Sequence, residues 1–405
     1  MPYFIYKVRD AQGHEREGEQ EAASEEALIT QLQNEGLLII SVAQREKVEK
    51  SVSMRRRLHF RVTIDDLIIF TRQLATMLEA GVTLLESLDV LSKQIESRPL
   101  LETVEQVKHD VSAGSTFRDA LARHPKIFSD FWVNVVETGE ASGTLPASLT
   151  QLADYLESAS SLRQKIVSAL IYPVILIVMA FAALIVFTVW IVPVFSRVFD
   201  NFDVALPVLT NMVIAFSSFA RRYILVFCAG LAGLAIFLRK YVQTEKGKWQ
   251  FDQLKFKLPI ISSLFQRIAI ERFASGLGTL IESGVPILYG LSIIGKSVGN
   301  KVVEKEIEEI RESVRQGKGM SKPLEKSGVF TPMVVQLVTV GEEIGELGKM
   351  LKRIAQFYRE RIATTLTRMT TMIEPAVLIF MGVVIGILVI ALFMPIFQLA
   401  MVAGR

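Results

Sequence analysis

FTRQLATMLEAGVTLL, Phe70 to Leu85, returns as FASGLGTLIESGVPIL, Phe273 to Leu288, and that return decides the fold. Further pairs follow in the same order. GEASGTL (Gly139 to Leu145) is answered by GEEIGEL (Gly341 to Leu347), and IYPVILIVM from Ile171 by IEPAVLIFM from Ile373. The exits also match, IVPVF (Ile191 to Phe195) against FMPIF (Phe393 to Phe397). A one-residue shift of register near Lys126 keeps the whole series aligned. Each copy is a soluble stretch of about a hundred residues running directly into a long apolar segment. A repeat of this size places two similar domains on one membrane, and it governs every other reading of the chain.

Composition agrees. The 405 residues are 50% hydrophobic and 21% charged, with a mean hydropathy of +0.37, as in a membrane protein that keeps large soluble parts. The length suggests two or three domains. A formal net charge of +3 gives no reason to expect nucleic acid as a partner. The single cysteine, Cys228, lies in an apolar run and allows no intramolecular disulfide. MPYFIYKVRD has no basic flank followed by an apolar core, so no cleavable signal peptide is expected and the N-terminus is expected in the cytoplasm.

Three segments are candidates to span lipid. No residue from Val167 to Ser196 is charged, and Pro173 to Val192 supplies the roughly 20 apolar residues a bilayer needs. Pro375 to Phe397 is also long enough. Tyr223 to Leu238 is shorter, about 24 Å at 1.5 Å per residue, and spans only if its flanking Arg221 and Arg222 snorkel or the bilayer thins. The repeat favours a crossing there, because the second copy returns to the side of the first only if the chain crosses back. Arg163, Lys165, Arg239, Lys240, Lys246, Lys248, Arg361 and Arg368 flank the proposed cytoplasmic ends, against Arg197, Arg221, Arg222 and Arg405 opposite. That bias points to N-terminus in and C-terminus out. LPVLTNMVIAFSSFA, between the first two crossings, reads as a proline-initiated helix resting on the outer leaflet or on neighbouring spans.

Outside the membrane the pattern is helical, with a small mixed head. FIYKV alternates, His14 to Glu19 is a polar strand candidate, Ser24 to Asn34 a helix stopped by Gly36, and LLIISV a last strand. Together they predict a ββαβ unit of roughly 40 residues, marginal alone. A solvated connector, REKVEKSVSMRRRLHF, follows. Thr63 then caps a helix with Asp65 and Asp66 in its first turn. Helical spacing places further helices at Leu84–Gln94, Leu100–Val111, Thr116–Arg123 and Asp130–Thr138, then a last one from Pro146 into the membrane. The second copy repeats these at Arg267–Glu282, Ile287–Lys296, Val302–Val314, Met320–Lys326, Met333–Val340 and from Leu347 onward.

Little of the sequence suggests chemistry. Gly290 to Ser297 satisfies G-x4-G-K-[ST], but a phosphate-binding loop follows a buried strand and opens a helix. This segment falls in mid-helix, and its counterpart Ser87 to Gln94 has neither glycine. Four histidines in unrelated segments, His14, His59, His109 and His124, form no metal constellation. Glu137 and Glu140, or Glu342 and Glu343, are either a cation or basic-partner site or, the plainer reading, turn and helix-end charge. Glu374, at the lip of a span, is costly there and is expected to face Arg361 or Arg368. Gly382 and Gly386 form a GxxxG, and Gly230 with Gly233 another small surface, suited to close helix packing within the bundle or between protomers. No catalytic, cofactor or metal residue is expected.

The two -GE-x-x-G-x-L- turns (Gly139-Glu140, Gly143, Leu145; Gly341-Glu342, Gly345, Leu347), the Tyr172-Pro173 and Glu374-Pro375 pairs, and the glycines Gly81 and Gly284 recur at matching places. With tandem helical domains and three spans, the chain resembles the F-protein family of type II secretion systems and type IV pili over essentially its whole length. The resemblance implies a mainly α, polytopic protein of the bacterial inner membrane, with two tandem six-helix cytoplasmic bundles, three transmembrane helices and a small ββαβ head. It implies a platform that couples a hexameric assembly ATPase to pilins or pseudopilins entering or leaving a fibre, among other inner-membrane assembly proteins. It implies no enzymatic activity and no cofactor. Tyr172 departs from the pattern where the second copy has Glu374. A homo-oligomer is expected, a dimer favoured. The competing class is a small membrane transporter or channel component, against which the near absence of intramembrane charge argues.

The expected boundaries are a head over residues 1–45, a basic linker over 46–62, a first cytoplasmic helical repeat over 63–168 and a first transmembrane helix over 169–195. A periplasmic loop over 196–222, a second transmembrane helix over 223–240 and a cytoplasmic connector over 241–265 follow. The second cytoplasmic repeat covers 266–370, the third transmembrane helix 371–398 and a periplasmic tail 399–405.

Overall fold

The computed structural model describes residues 3–9, 15–22, 24–34, 36–44, 59–200, 206–258 and 261–403. His14, the arginine run at 55–57 and Arg405 lie outside the described residues, as does the side chain of Cys228. The chain divides into two units, Met1–Leu58 and His59–Arg405.

In the first unit β1 (Tyr3–Arg9), β2 (Glu15–Glu21), α1 (Glu25–Asn34) and β3 (Leu38–Gln44) follow one another as expected. β1 is the central strand and pairs antiparallel with both others. Alternation puts Phe4 and Val8 on one face, where they pack with Leu28 and Leu32, one turn apart on α1.

The second unit holds the repeat. The first copy comprises α2 (Ile64–Glu79), α3 (Leu84–Ser92), α4 (Arg98–Ser112), α5 (Phe117–Ala122), α6 (Asp130–Ser142) and α7 (Leu145–Val186). A π-helical turn (Phe187–Ile191), α8 (Val192–Asp200), α9 (Val208–Gln243) and α10 (Glu245–Lys257) lead to the second copy. That copy comprises α11 (Ser262–Glu282), α12 (Ile287–Ser297), α13 (Lys301–Arg315), α14 (Ser321–Lys326), α15 (Pro332–Glu343) and α16 (Leu347–Ala403). Equivalent positions are 203 residues apart through α5 and 202 from α6 onward.

Local chemistry sets these ends. Thr63 and Asp66 form a full capping box at α2. Gly81 (φ 84°) and Gly284 (φ 85°) close α2 and α11 in the left-handed region, and the next residue in each case bonds back five residues, Val82 to Met77 and Val285 to Leu280.

The two copies are expected as separate bundles, yet their buried residues form one continuous core. Across the copies, the Ser283 hydroxyl of the second donates to Gln151 Oε1 of the first at 2.7 Å. The physical reason is shape. Each set of short helices is too small to enclose its own apolar surface, so the copies complete each other. α7 and α16 pack along each other, and α11 and α12 lie on α7 and α6.

Among the described residues two helices are long and apolar enough to cross a membrane, Leu145–Arg197 and Leu347–Phe397. The expectation of three is corrected at 223–238. That run lies inside the single 36-residue α9, and its uncharged length, about 24 Å, falls short of a hydrocarbon core of about 30 Å. The helix expected to rest between the spans is no separate element. It is the start of α9, opened by Pro207. The connector expected at 241–265 is largely the helix α10.

α7 runs through Pro173, and α16 through Pro375 and Pro395, without ending. At Pro193, which has no N–H to donate, the ladder from α7 instead widens into the π turn. Ser217 of α9 donates its hydroxyl to the Thr188 carbonyl in that turn, and Thr210 donates to the Ala391 carbonyl of α16 at 2.5 Å. The start of α9 is thereby fixed between the far ends of both spanning helices.

Candidate functional site

The repeated turn can be built residue by residue. α6 ends at Ser142, and Gly143 takes φ 72°, which L side chains avoid. The Thr144 N–H then reaches back to the Gly139 carbonyl at 2.8 Å. Gly139 is where the outgoing chain passes closest. A methyl placed there would lie 3.1 Å from Leu145 Cα and 2.6 Å from Ser148 Oγ. Glu140 points away from the turn, and its two oxygens accept from the backbone N–H groups of Phe117 (2.9 Å) and Arg118 (3.0 Å), at the start of α5.

The second copy repeats the construction. Gly345 has φ 72°, Glu346 N–H bonds the Gly341 carbonyl at 2.9 Å, and a methyl at Gly341 would lie 3.0 Å from Leu347 Cα. Glu342 accepts from Met320 N–H and from the Ser321 hydroxyl, both at 2.7 Å, at the start of α14. Each letter of -GE-x-x-G-x-L- therefore has a packing reason: close approach, helix cap, left-handed exit, first residue of the long helix. Both glutamates are committed to helix ends. This is the plainer of the two readings their position allowed.

The Tyr172-Pro173 and Glu374-Pro375 pairs meet where α7 and α16 pack. Leu162 of α7, Leu264 of α11, and Ile362 and Leu366 of α16 form an apolar cluster. Further along, Tyr172 lies close enough to Glu374 to feel its charge. The expected arginine partner is not there. Arg361 sits over the Phe357 ring at 4.9 Å, and Glu374 makes no ion pair among the described residues. Pro173 is buried, and Pro375 is exposed.

The expected glycine packing within the chain is absent. A methyl at Gly382, Gly386, Gly230 or Gly233 would meet nothing within 4 Å. The Gly290 to Ser297 segment is helical as read. Gly290 and Gly295 are buried on α12, packed on Leu277 and Ile307, while Lys296 is exposed.

One polar cluster escaped the sequence reading. Glu271, 3% exposed on α11, accepts from Arg359 Nε at 2.7 Å, and Arg359 also donates to Ser275 Oγ at 2.8 Å. Burial pushes the Glu271 carboxyl above the usual range despite the Arg359 charge beside it. Tyr155, from the first copy, is half-buried near the same carboxylate, and its hydroxyl is pushed up to about 12, by desolvation first. The equivalent place in the first copy has reversed polarity. Arg72 on α2 bonds Glu157 (2.9 Å) and Asp154 (2.5 Å) on α7, where the second copy has Ser275 facing Arg359. Comparing the copies position by position exposes that exchange, since Glu271 stands where the first copy has Ile68. An open cleft of about 890 Å³ lies between α6 and α12–α13, walled by Asn134, Thr138, Leu288 and Tyr289.

With the geometry in hand, likeness to known proteins is specific. Residues 70–193 and 273–395 each match the model of type II secretion system protein F, and residues 1–43 match that of its N-terminal domain. The chain is 34% identical to the type IV pilus assembly protein PilC of Myxococcus xanthus, over 98% of this chain and 95% of that protein. It is 37% identical to the type IV pilus assembly protein PilC of Thermus thermophilus over 98% of each. With the type II secretion system protein F of Xanthomonas campestris it shares 30% identity over the full length of both.

Proposed function

Since the chain belongs to the type II secretion system protein F family, we propose that it is an inner-membrane platform of a type IV pilus or type II secretion machine. Its cytoplasmic body receives movement from a hexameric assembly ATPase. Pilins or pseudopilins are thereby inserted into, or removed from, a fibre. The observation that carries this reading is the continuity of α7 and α16: each leaves the shared cytoplasmic core and runs on as a membrane-length helix. A helix unbroken across that boundary transmits rotation or tilt from one side to the other. The chain acts by position and carries no chemistry of its own.

Its topology follows from connectivity. The N-terminus lies in the cytoplasm and the C-terminus outside. α9 returns the chain to the second copy. It starts beside the far ends of the two spanning helices and leads into α10, which packs on α11 and α13 of the second copy. A homo-oligomer, a dimer in the first instance, works beside other inner-membrane assembly proteins. The turns at Gly139 to Leu145 and Gly341 to Leu347, with Gly81 and Gly284, hold the short helices to the long ones so that the body moves as a unit.

Affinity purification of the full chain from its own membranes tests this. The assembly ATPase is expected to co-purify, and binding is expected to survive the loss of the head, residues 1–45, less well than the loss of the C-terminal tail, residues 399–405. Recovery of the chain without any assembly component contradicts it.

A further inference from the structure

Beyond α7 and α16, equivalent helices that pack along each other, the contact between the two copies is one-sided. α11 and α12 of the second copy pack on α7 and α6 of the first, while α2 and α3 make no packing of comparable extent on α16 and α15 among the described residues. Because the copies are homologous, each owns both kinds of face. The internal contact uses the α6–α7 face of the first copy and the α11–α12 face of the second. Two faces are left over: α2–α3 of the first copy and α15–α16 of the second.

The used contact has a definite anatomy. A methyl at Gly284 would lie 3.2 Å from Thr138 Cγ2, Ser283 bonds Gln151, and Val285 is buried. On the unused faces the equivalents are Gly81, Ala80 and Val82 on one side, with Val340 and Arg353 on the other. There Ala80, Val340 and Arg353 are exposed and Val82 is half-buried. Large apolar side chains stand exposed on both: Ile69 (56%) on the first, Val340 (41%) and Ile344 (58%) on the second, while Leu85 (40%) is no more exposed than its counterpart Leu288 (39%). Scattered exposed apolar residues are ordinary. These fall on two faces whose homologues already fit each other. Charge agrees, since Glu86 replaces Tyr289 on the first face and Arg353 replaces Gln151 on the second. Glu86 and Arg353 thus offer one opposite-charge pair, with Glu343 also exposed on the second face.

We propose that the α2–α3 face is the docking site for the α15–α16 face of a second copy of this chain, repeating between chains the contact that joins the repeats within one. Used reciprocally by two chains, such a contact is isologous and joins four repeats in a closed ring. The proposal rests on the homo-oligomer of the proposed function and names its interface, argued from the contact between the repeats.

Crosslinking of the full chain in its own membranes, in a Cys228→Ala background, tests it. One tagged copy carries Leu85→Cys and a differently tagged copy carries Val340→Cys. A bis-maleimide reagent is expected to join the two tags covalently, and to lose that product when either cysteine is omitted. Thr138→Cys with Leu288→Cys in one chain, the equivalent internal pair, is the positive control and gives an intramolecular product. Because Val340 is exposed, Val340→Asp is expected to leave insertion and melting temperature unchanged while reducing co-purification of the two tags at least tenfold. Three results overturn the proposal: the internal pair reacts and the interchain pair does not, the Val340→Asp copies co-purify undiminished, or Leu85→Cys is captured only by a different polypeptide.

Discussion

Tyr172 and Glu374 hold the same position in the two copies of one repeat, 202 residues apart, and they lie close enough to interact electrostatically. Equivalent residues meet only close to an axis relating the copies, so this pair marks where α7 and α16 cross at the mouth of the membrane. The single departure between the two proline pairs is thereby explained, since two glutamates at this site would repel each other and two tyrosines would leave their hydroxyls without a carboxylate.

The pair is expected to be energetically coupled. Tyr172→Phe and Glu374→Gln should each destabilise the purified protein, and the double variant should lose less than their sum by about 0.5–1.5 kcal/mol. Thermal unfolding in detergent measures the cycle. Additivity within about 0.3 kcal/mol would show that the two do not interact.

Glu140 and Glu342 are read as caps of α5 and α14. Replacing either by alanine leaves two donors at a helix start without their carboxylate, for a loss of about 1–3 kcal/mol. Glutamine keeps one acceptor and should lose less. Differential scanning calorimetry of the four variants decides. If Glu140→Ala melts like the parent yet abolishes fibre assembly, the carboxylate serves a partner and the cap reading is wrong.

The two glycines of each turn fail in different ways. Gly143→Ala forces a side chain into φ 72°, costing about 1–2 kcal/mol, and asparagine there recovers much of the loss because it tolerates that region. Gly139→Ala drives a methyl against Leu145 Cα, for about 1–3 kcal/mol, and asparagine is worse than alanine. Melting temperatures that rank asparagine the same way at both positions would refute the distinction.

Burial raises the Glu271 carboxyl above the ordinary 4.5. Between that value and its raised one, the folded protein holds a proton that the unfolded chain has released. This group's contribution to stability is therefore greatest on the acid side and falls as pH rises through the folded value. The melting temperature of the parent minus that of Glu271→Gln is expected to decline as pH rises above about 4.5. A difference that stays flat or grows contradicts the assignment.

Much of this molecule is legible in its sequence. The duplication, the six helices of each copy, the head and the long helices entering the membrane follow from patterns of period 2 and 3.6 with glycine and threonine punctuation. What was not legible depends on partners distant along the chain. Glu140 caps a helix 23 residues upstream, and no local pattern separates that carboxylate from one awaiting a ligand. Glu374 was assigned an arginine on its own helix, and its neighbour Tyr172 comes from the other copy. Glu271 reads as one more helix-surface charge until Arg359, 88 residues later, folds against it. Even the fusion of the two bundles is a property of shape that periodicity within one helix does not encode.

The most direct test of the whole account is deletion of this chain from its host, followed by electron microscopy of surface fibres and assay of exported proteins. Loss of one or the other is expected while the fibre subunits persist in the membrane, with recovery on return of the full chain and none on return of either repeat alone. A normal fibre and normal export in the deletion strain would contradict it.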